Sequence, residues 1–213
     1  SLLAEDIDGF EEAWEKAGGA ASGRTVKIQA PGPITLAVQL ELSNGHRAIT
    51  DAGALRDLAA SLAEGVAVHR AEVARRLSVP VVVQFDEPLL PAALAGRITG
   101  VTALSPVHPV DEVLAIGLYN DCVARLGGDV MLHCCAADLP WTMLQRSAIQ
   151  AVSIDVAMLG PDGLDGLGSF VDSGRTAVLG LLPGLAPDIR PSAEEVAAAA
   201  AAVTDRIGFP RAV

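Results

Sequence analysis

Asp129-Val130-Met131-Leu132-His133-Cys134-Cys135 is an apolar run that ends in three residues able to carry chemistry. A short continuous apolar run of this kind reads as a strand, here Asp129–Cys134, of the type buried in a parallel sheet. Side chains alternate along a strand, so His133 and Cys135 share one face of its end and Cys134 takes the other. His and Cys both ligate zinc, but a two-ligand pattern is weaker than a four-ligand one. Burial of all three in the core is an equal reading, since free cysteines are commonly buried.

The same design recurs on both sides of this stretch. Upstream, Pro80–Phe85 (PVVVQF) is a strand that runs into Asp86-Glu87-Pro88, and Thr25–Ala30 (TVKIQA) is a strand that runs into Pro31-Gly32-Pro33. Downstream, Ala151–Val156 (AVSIDV) carries Asp155 at its end, and Thr176–Leu182 (TAVLGLL) runs into Pro183-Gly184. Helices are expected between them, over Leu2–Ala17, Asp51–Leu77, Pro109–Leu126, Leu139–Ala148 and Leu164–Asp172, with a last one from Ser192 to about Ile207. Asp51 is a fitting N-cap, and Leu55, Leu58, Leu62 and Val66 recur at helical spacing behind it. Ser192 with Glu195 forms a capping-box pattern. Ile98–Leu104 is a weak strand or loop, and the stretch from Gly100 to Pro109 marks a mobile loop or a join.

Unbroken strand–helix alternation implies a parallel sheet, closed as a barrel or open and doubly wound. Three different strands place a polar group at the same C-terminal end: Asp86 and Glu87, then His133 and Cys135, then Asp155. That is the behaviour of a (β/α) barrel, whose rim collects one group from each of several strands. A doubly wound sheet would centre its site on a glycine-rich first turn, and neither G-x-G-x-x-G nor G-x-x-x-x-G-K-[ST] occurs. The expected fold is therefore α/β, a TIM (β/α)8 barrel. Five clear strands and one weak one fall short of a full barrel, which takes roughly 250 residues. Residues 1–213 are read as a single barrel domain lacking N-terminal strands and the last strand.

Composition bounds the rest. Hydrophobic residues make up 51% and charged residues 19%, which excludes a disordered chain. Aromatics are 3%, so the core must be built from Ala, Val, Leu and Ile. A net charge of −11 disfavours nucleic acid or an anionic membrane as partner. No apolar run reaches the length of a membrane span; the longest, from Val196 to Val203, is soon followed by Asp205 and Arg206. Three cysteines, two of them adjacent, point to a reducing, cytoplasmic setting.

Each candidate residue has a plain alternative. Asp155 is a third metal ligand and substrate contact, or the cap of its own βα turn. Asp86 and Glu87 are expensive to bury without partners, and a substrate ammonium group would be one; with Gln84 they form the candidate catalytic and substrate-binding cluster, and a solvated loop is the alternative. Pro31-Gly32-Pro33 is a rigid turn with Thr35 as a helix cap, or a substrate contact. His46, His69 and His108 lack ligand spacing and are read as surface residues, and Trp141 as a packing residue.

Taken together, Gln29-Ala30-Pro31-Gly32-Pro33-Ile34-Thr35, Gln84-Phe85-Asp86-Glu87-Pro88 and His133-Cys134-Cys135 resemble the catalytic C-terminal barrel of the cobalamin-independent methionine synthases. The closest likeness is to the short, single-barrel actinobacterial form. The resemblance implies a zinc-dependent S-methyltransferase that converts homocysteine to methionine, with Zn2+ as cofactor. It implies His133 and Cys135 as metal ligands, Asp155 where the family has a glutamate ligand, and Asp86 as the holder of the homocysteine amino group. The family's last-strand Cys ligand and its first-strand Gly-Ser segment have no counterpart in these residues. The methyl donor implied is a folate or a methylated corrinoid protein. One barrel alone favours a donor smaller than a polyglutamyl folate, and a homo-oligomer is compatible with the reading. The competing readings are a zinc-dependent alkyltransferase acting on another thiol, a metal-free barrel of the uroporphyrinogen decarboxylase type, and a barrel that has lost its metal.

Overall fold

The structure is a computed structural model that describes residues 2–102, 106–182, 184 and 190–209. Its strands are β1 (Val26–Pro31), β2 (Val81–Asp86), β3 (Val130–Cys134), β4 (Ala151–Asp155) and β5 (Thr176–Gly180). Its helices are α1 (Leu2–Lys16), α2 (Pro33–Gln39), α3 (Ala52–Leu77), α4 (Leu90–Leu94), α5 (Glu112–Leu126), α6 (Trp141–Arg146), α7 (Pro161–Asp172) and α8 (Ala193–Arg206). All neighbouring strands pair in parallel, and their order across the sheet is their order along the chain.

That order separates a barrel from a doubly wound sheet. Crossovers between parallel strands are right-handed, so a sheet that adds each new strand on the same side sends every crossover helix to the same face. The helices accordingly form a layer in which α3 packs on α5, α5 on α6 and α6 on α7. Beneath them lie Val26, Ile28, Val81, Val83, Phe85, Val130, Leu132, Cys134, Val152 and Ile154, all buried. A doubly wound sheet reverses its order partway and places helices on both faces. The architecture is the α/β barrel type.

The apolar runs led us to expect strands covered on both faces. Among the described residues only the helix-side face is sealed in this way. The opposite face carries Lys27, Gln29, Gln84, Asp86, His133, Ser153 and Asp155. In a barrel this second face is the interior, and polar groups gather there at the C-terminal rim.

Local signals place the helices. Asp51 accepts hydrogen bonds from Gly53 and Ala54, Asp111 accepts from Val113 and Leu114, and Ser192 with Glu195 makes the full capping box. The helix expected from Pro109 therefore begins at Glu112, after its cap. The helix expected from Leu164 begins earlier, at Pro161, because proline at the first turn loses no intrahelical bond. The helix expected over Leu139–Ala148 is shorter, Trp141–Arg146. Of the two short helices, α2 answers the reading of a helix near Thr35 and α4 was not expected; each has a proline in its first turn. Thr35 is not a cap: Gly32 holds that position and Thr35 is buried in the first turn of α2. Residues 98–102 form no strand, and 103–105, with Pro183, lie outside the described residues. Trp141 packs against Phe170, with ring centroids 5.8 Å apart. Gly166 makes room for that packing, since a Cβ there would lie 2.1 Å from the indole.

Candidate active site

The backbone ladder continues past the strands and locks the rim. Gly32 N–H donates to the Asp86 carbonyl at 2.8 Å, and Glu87 N–H donates to the His133 carbonyl at 2.7 Å. The C-terminal ends of β1, β2 and β3 are thereby held at one level. In register, Asp86 lies opposite His133, and His133 opposite Ser153. Partners in a parallel ladder share a face, so the three side chains form one row across the polar face.

His133 is partly buried and its Nδ1 lies 3.1 Å from Ser153 Oγ. That contact fixes the ring and leaves Nε2 as the nitrogen free of it. Cys134 is 0% exposed, and burial pushes its thiol up to about 11. Cys135, the next residue, is exposed. Asp155 stands at the end of β4, where its Oδ1 accepts from the Ala157 backbone N–H at 2.9 Å. The capping alternative for Asp155 is thus present in the structure.

Asp86 and Glu87, adjacent in sequence, have opposite environments. Asp86 is partly buried on the polar face, and its Oδ1 accepts from Gln84 Nε2 at 2.6 Å. Glu87 is 0% exposed. Its Oε1 accepts from Ile34 N–H at 2.9 Å and from the Tyr119 hydroxyl at 2.8 Å, and its Oε2 accepts from Thr35 N–H at 2.8 Å. Burial raises the Glu87 pKa, and its hydrogen-bond donors from Thr35, Ile34 and Tyr119 oppose that rise. Tyr119, also buried, is pushed well above its ordinary value by desolvation and by the Glu87 charge. The catalytic role expected of Glu87 does not fit this environment, because both carboxylate oxygens are spent on the fold. Gly32 is required by it: a Cβ there would fall 2.3 Å from the Glu87 carboxyl carbon.

Gln84, expected as a substrate contact, is 6% exposed and lies between two charges. Lys27 Nζ donates to its Oε1 at 2.6 Å, and its Nε2 faces Asp86. Lys27, Ser153 and Tyr119 are the residues that sequence reasoning missed. The TVKIQA alternation held the signal for Lys27, since it sets Lys27 and Gln29 on the face opposite Val26 and Ile28. Nothing local could have linked Tyr119 to Glu87, which is 32 residues away.

The model of the family described as cobalamin-independent synthase, catalytic domain, matches residues 1–211. The chain belongs to this family. No curated protein matches it. As a cobalamin-independent synthase catalytic domain it is an enzyme of the methyltransferase type, and it works on small molecules. No described helix of the synthase domain is long and apolar enough to cross a membrane.

The donor set of this synthase domain suits zinc at two positions. His133 and Cys135 offer imidazole nitrogen and thiol sulfur from one strand end, the pairing that zinc accepts. Asp155, the expected third ligand, has one oxygen drawn to its own turn. No three His, Cys, Asp or Glu side chains converge on a common point among the described residues.

Proposed function

We propose that the domain transfers a methyl group to the thiol of homocysteine, giving methionine, at the rim formed by Asp86, His133 and Cys135. The observation that carries this reading is the row Asp86–His133–Ser153 across adjacent strand ends, within a chain of the cobalamin-independent synthase family. His133 and Cys135 would hold Zn2+, with Asp155 as a further ligand on release from its cap. A zinc ion bound there lowers the pKa of a thiol and so makes thiolate available at neutral pH.

The chain's own residues then have distinct tasks. Ser153 fixes the ring of His133. Asp86 pairs with the substrate ammonium through the oxygen not taken by Gln84, which brings the thiol to the His133 and Cys135 end of the row. Glu87 holds the turn that carries Asp86 and takes no part in chemistry. The sulfur–carbon bond forms as the bond between methyl and donor breaks. Asp86 favours an amino-acid thiol over a sulfonate thiol, which lacks an ammonium group. Residues 1–213 act in this reading as one barrel unit.

The test is methionine formation by the full-length protein from homocysteine, with zinc and with a methyl-folate, a methylated corrinoid protein or a small methyl donor in turn. We expect turnover with at least one donor, abolished in Cys135→Ser. Failure with all three classes would overturn the reading.

A further inference from the structure

We propose that Lys27 is a positioning residue for the substrate site: through the Gln84 amide it fixes which atom Asp86 faces and leaves one Asp86 oxygen free for an ammonium group. This rests on the reading of Asp86 as the holder of the substrate ammonium.

An ammonium group has three donors and no acceptor, an ionised carboxylate accepts only, and an amide has one end of each kind. Lys27 Nζ lies 2.6 Å from Gln84 Oε1, and Gln84 Nε2 lies 2.6 Å from Asp86 Oδ1. With Lys27 on one side, the amide has a single satisfying orientation: oxygen to Lys27, nitrogen to Asp86. The nitrogen then demands an acceptor, which Asp86 Oδ1 supplies. Lys27 also reaches Gln29 Oε1 at 3.4 Å, which holds its stem along β1. Lys27 pairs with no carboxylate among the described residues, so its charge is directed through Gln84.

The row is geometrically built. Gln29 and Gln84 are register partners on β1 and β2, and Asp86 follows on the same face of β2. Gln84 is buried, so a flipped amide, with nitrogen toward Lys27 and oxygen toward Asp86, would set like against like where water gives little relief. Replacing Lys27 with Met removes the preference. Replacing it with Glu inverts the preference and turns the amide oxygen toward Asp86.

The experiment measures L-methionine binding to the full-length protein by calorimetry, for the wild type, Asp86→Asn, Lys27→Met, Lys27→Arg, Gln84→Leu and the Lys27→Met/Gln84→Leu pair. We expect Lys27→Met and Gln84→Leu each to weaken binding roughly tenfold, the scale of one charge-assisted hydrogen bond. Lys27→Arg should retain affinity, and the pair should be no weaker than Gln84→Leu alone. If Lys27→Met lowers the melting temperature, Lys27→Gln supplies the same comparison with less change in shape. Wild-type affinity in Lys27→Met, with Asp86→Asn impaired, would overturn the role of Lys27 and leave the Asp86 reading standing. Full additivity in the pair would also overturn it, since Lys27 would then not act through Gln84. Wild-type affinity in Asp86→Asn would overturn the reading beneath the proposal, and the proposal with it.

Discussion

Cys134 is the last residue of β3 and Cys135 follows it, and their surroundings diverge within that one step. Cys134 joins the core under the helices; Cys135 is exposed at the rim. Cys122 is buried in α5 and, like Cys134, is pushed up to about 11 by desolvation. At pH 7 such a thiol is thiolate in only about one molecule in ten thousand, and the thiolate is the reactive form. Brief iodoacetamide treatment of folded, zinc-free protein, read by peptide mapping, should therefore modify Cys135 and spare the other two. Modification of Cys134 ahead of Cys135 would contradict the burial of Cys134. At Asp86, replacement by Asn should cost about 2–5 kcal/mol of homocysteine binding, much of it the penalty of leaving the ammonium unpaired, with little change in zinc affinity. Calorimetry of the two ligands separates these effects, and equal losses of both would place Asp86 elsewhere. The alternation that separates His133 from Cys134 was legible in the sequence, because it is local to one strand. The same alternation made Lys27 legible in principle, but Thr25–Ala30 was read only as a run leading to its proline turn.

The elements around the rim are joined by one buried carboxylate. Glu87 leaves β2, takes the first backbone N–H groups of α2 and receives the hydroxyl of Tyr119 from α5. A helix N-terminus favours negative charge, which offsets part of the desolvation cost. All three partners donate, so Glu87→Gln sets an amide N–H against a donor and should cost about 1–3 kcal/mol. Gly32→Ala forces the same turn apart and should cost at least about 1–3 kcal/mol through overpacking. Urea unfolding checks both; a neutral Gly32→Ala would mean the turn is not so tightly held. Burial raises the Glu87 pKa, so the folded protein binds that proton more tightly than the unfolded chain. Stability then falls as pH rises from the ordinary carboxylate range through the raised value, and Glu87→Gln should flatten that part of the profile. The sequence reading grouped Glu87 with Asp86 because both follow an apolar run. What divides them is contact with segments 32 and 53 residues away, which no local pattern reports.

At the scale of the molecule, strand order and helix placement follow from short-range signals and one handedness rule. Apolar runs of four to six residues, caps such as Asp51 and Ser192, and proline turns at strand ends were enough to anticipate parallel barrel architecture. The α4 helix escaped because it is short and lacks a side-chain cap. The polar rim was legible from Asp86, His133 and Asp155, but Lys27 and Ser153 on the same face were missed, because each lies inside its strand and away from the turn that follows it. An acidic chain of net charge −11 thus presents an ammonium, a carboxylate and an imidazole on the polar face of consecutive strands, with an exposed thiol two residues after the imidazole. The proposed function makes this rim a zinc–thiol site. The most direct test is the zinc content, by mass spectrometry, of full-length protein purified without chelator, compared with its Cys135→Ser variant. The account predicts about one zinc per chain in the wild type, as a single site of this kind would bind, and little or none in the variant. Absence of zinc from the wild type, or equal zinc in both proteins, would contradict it.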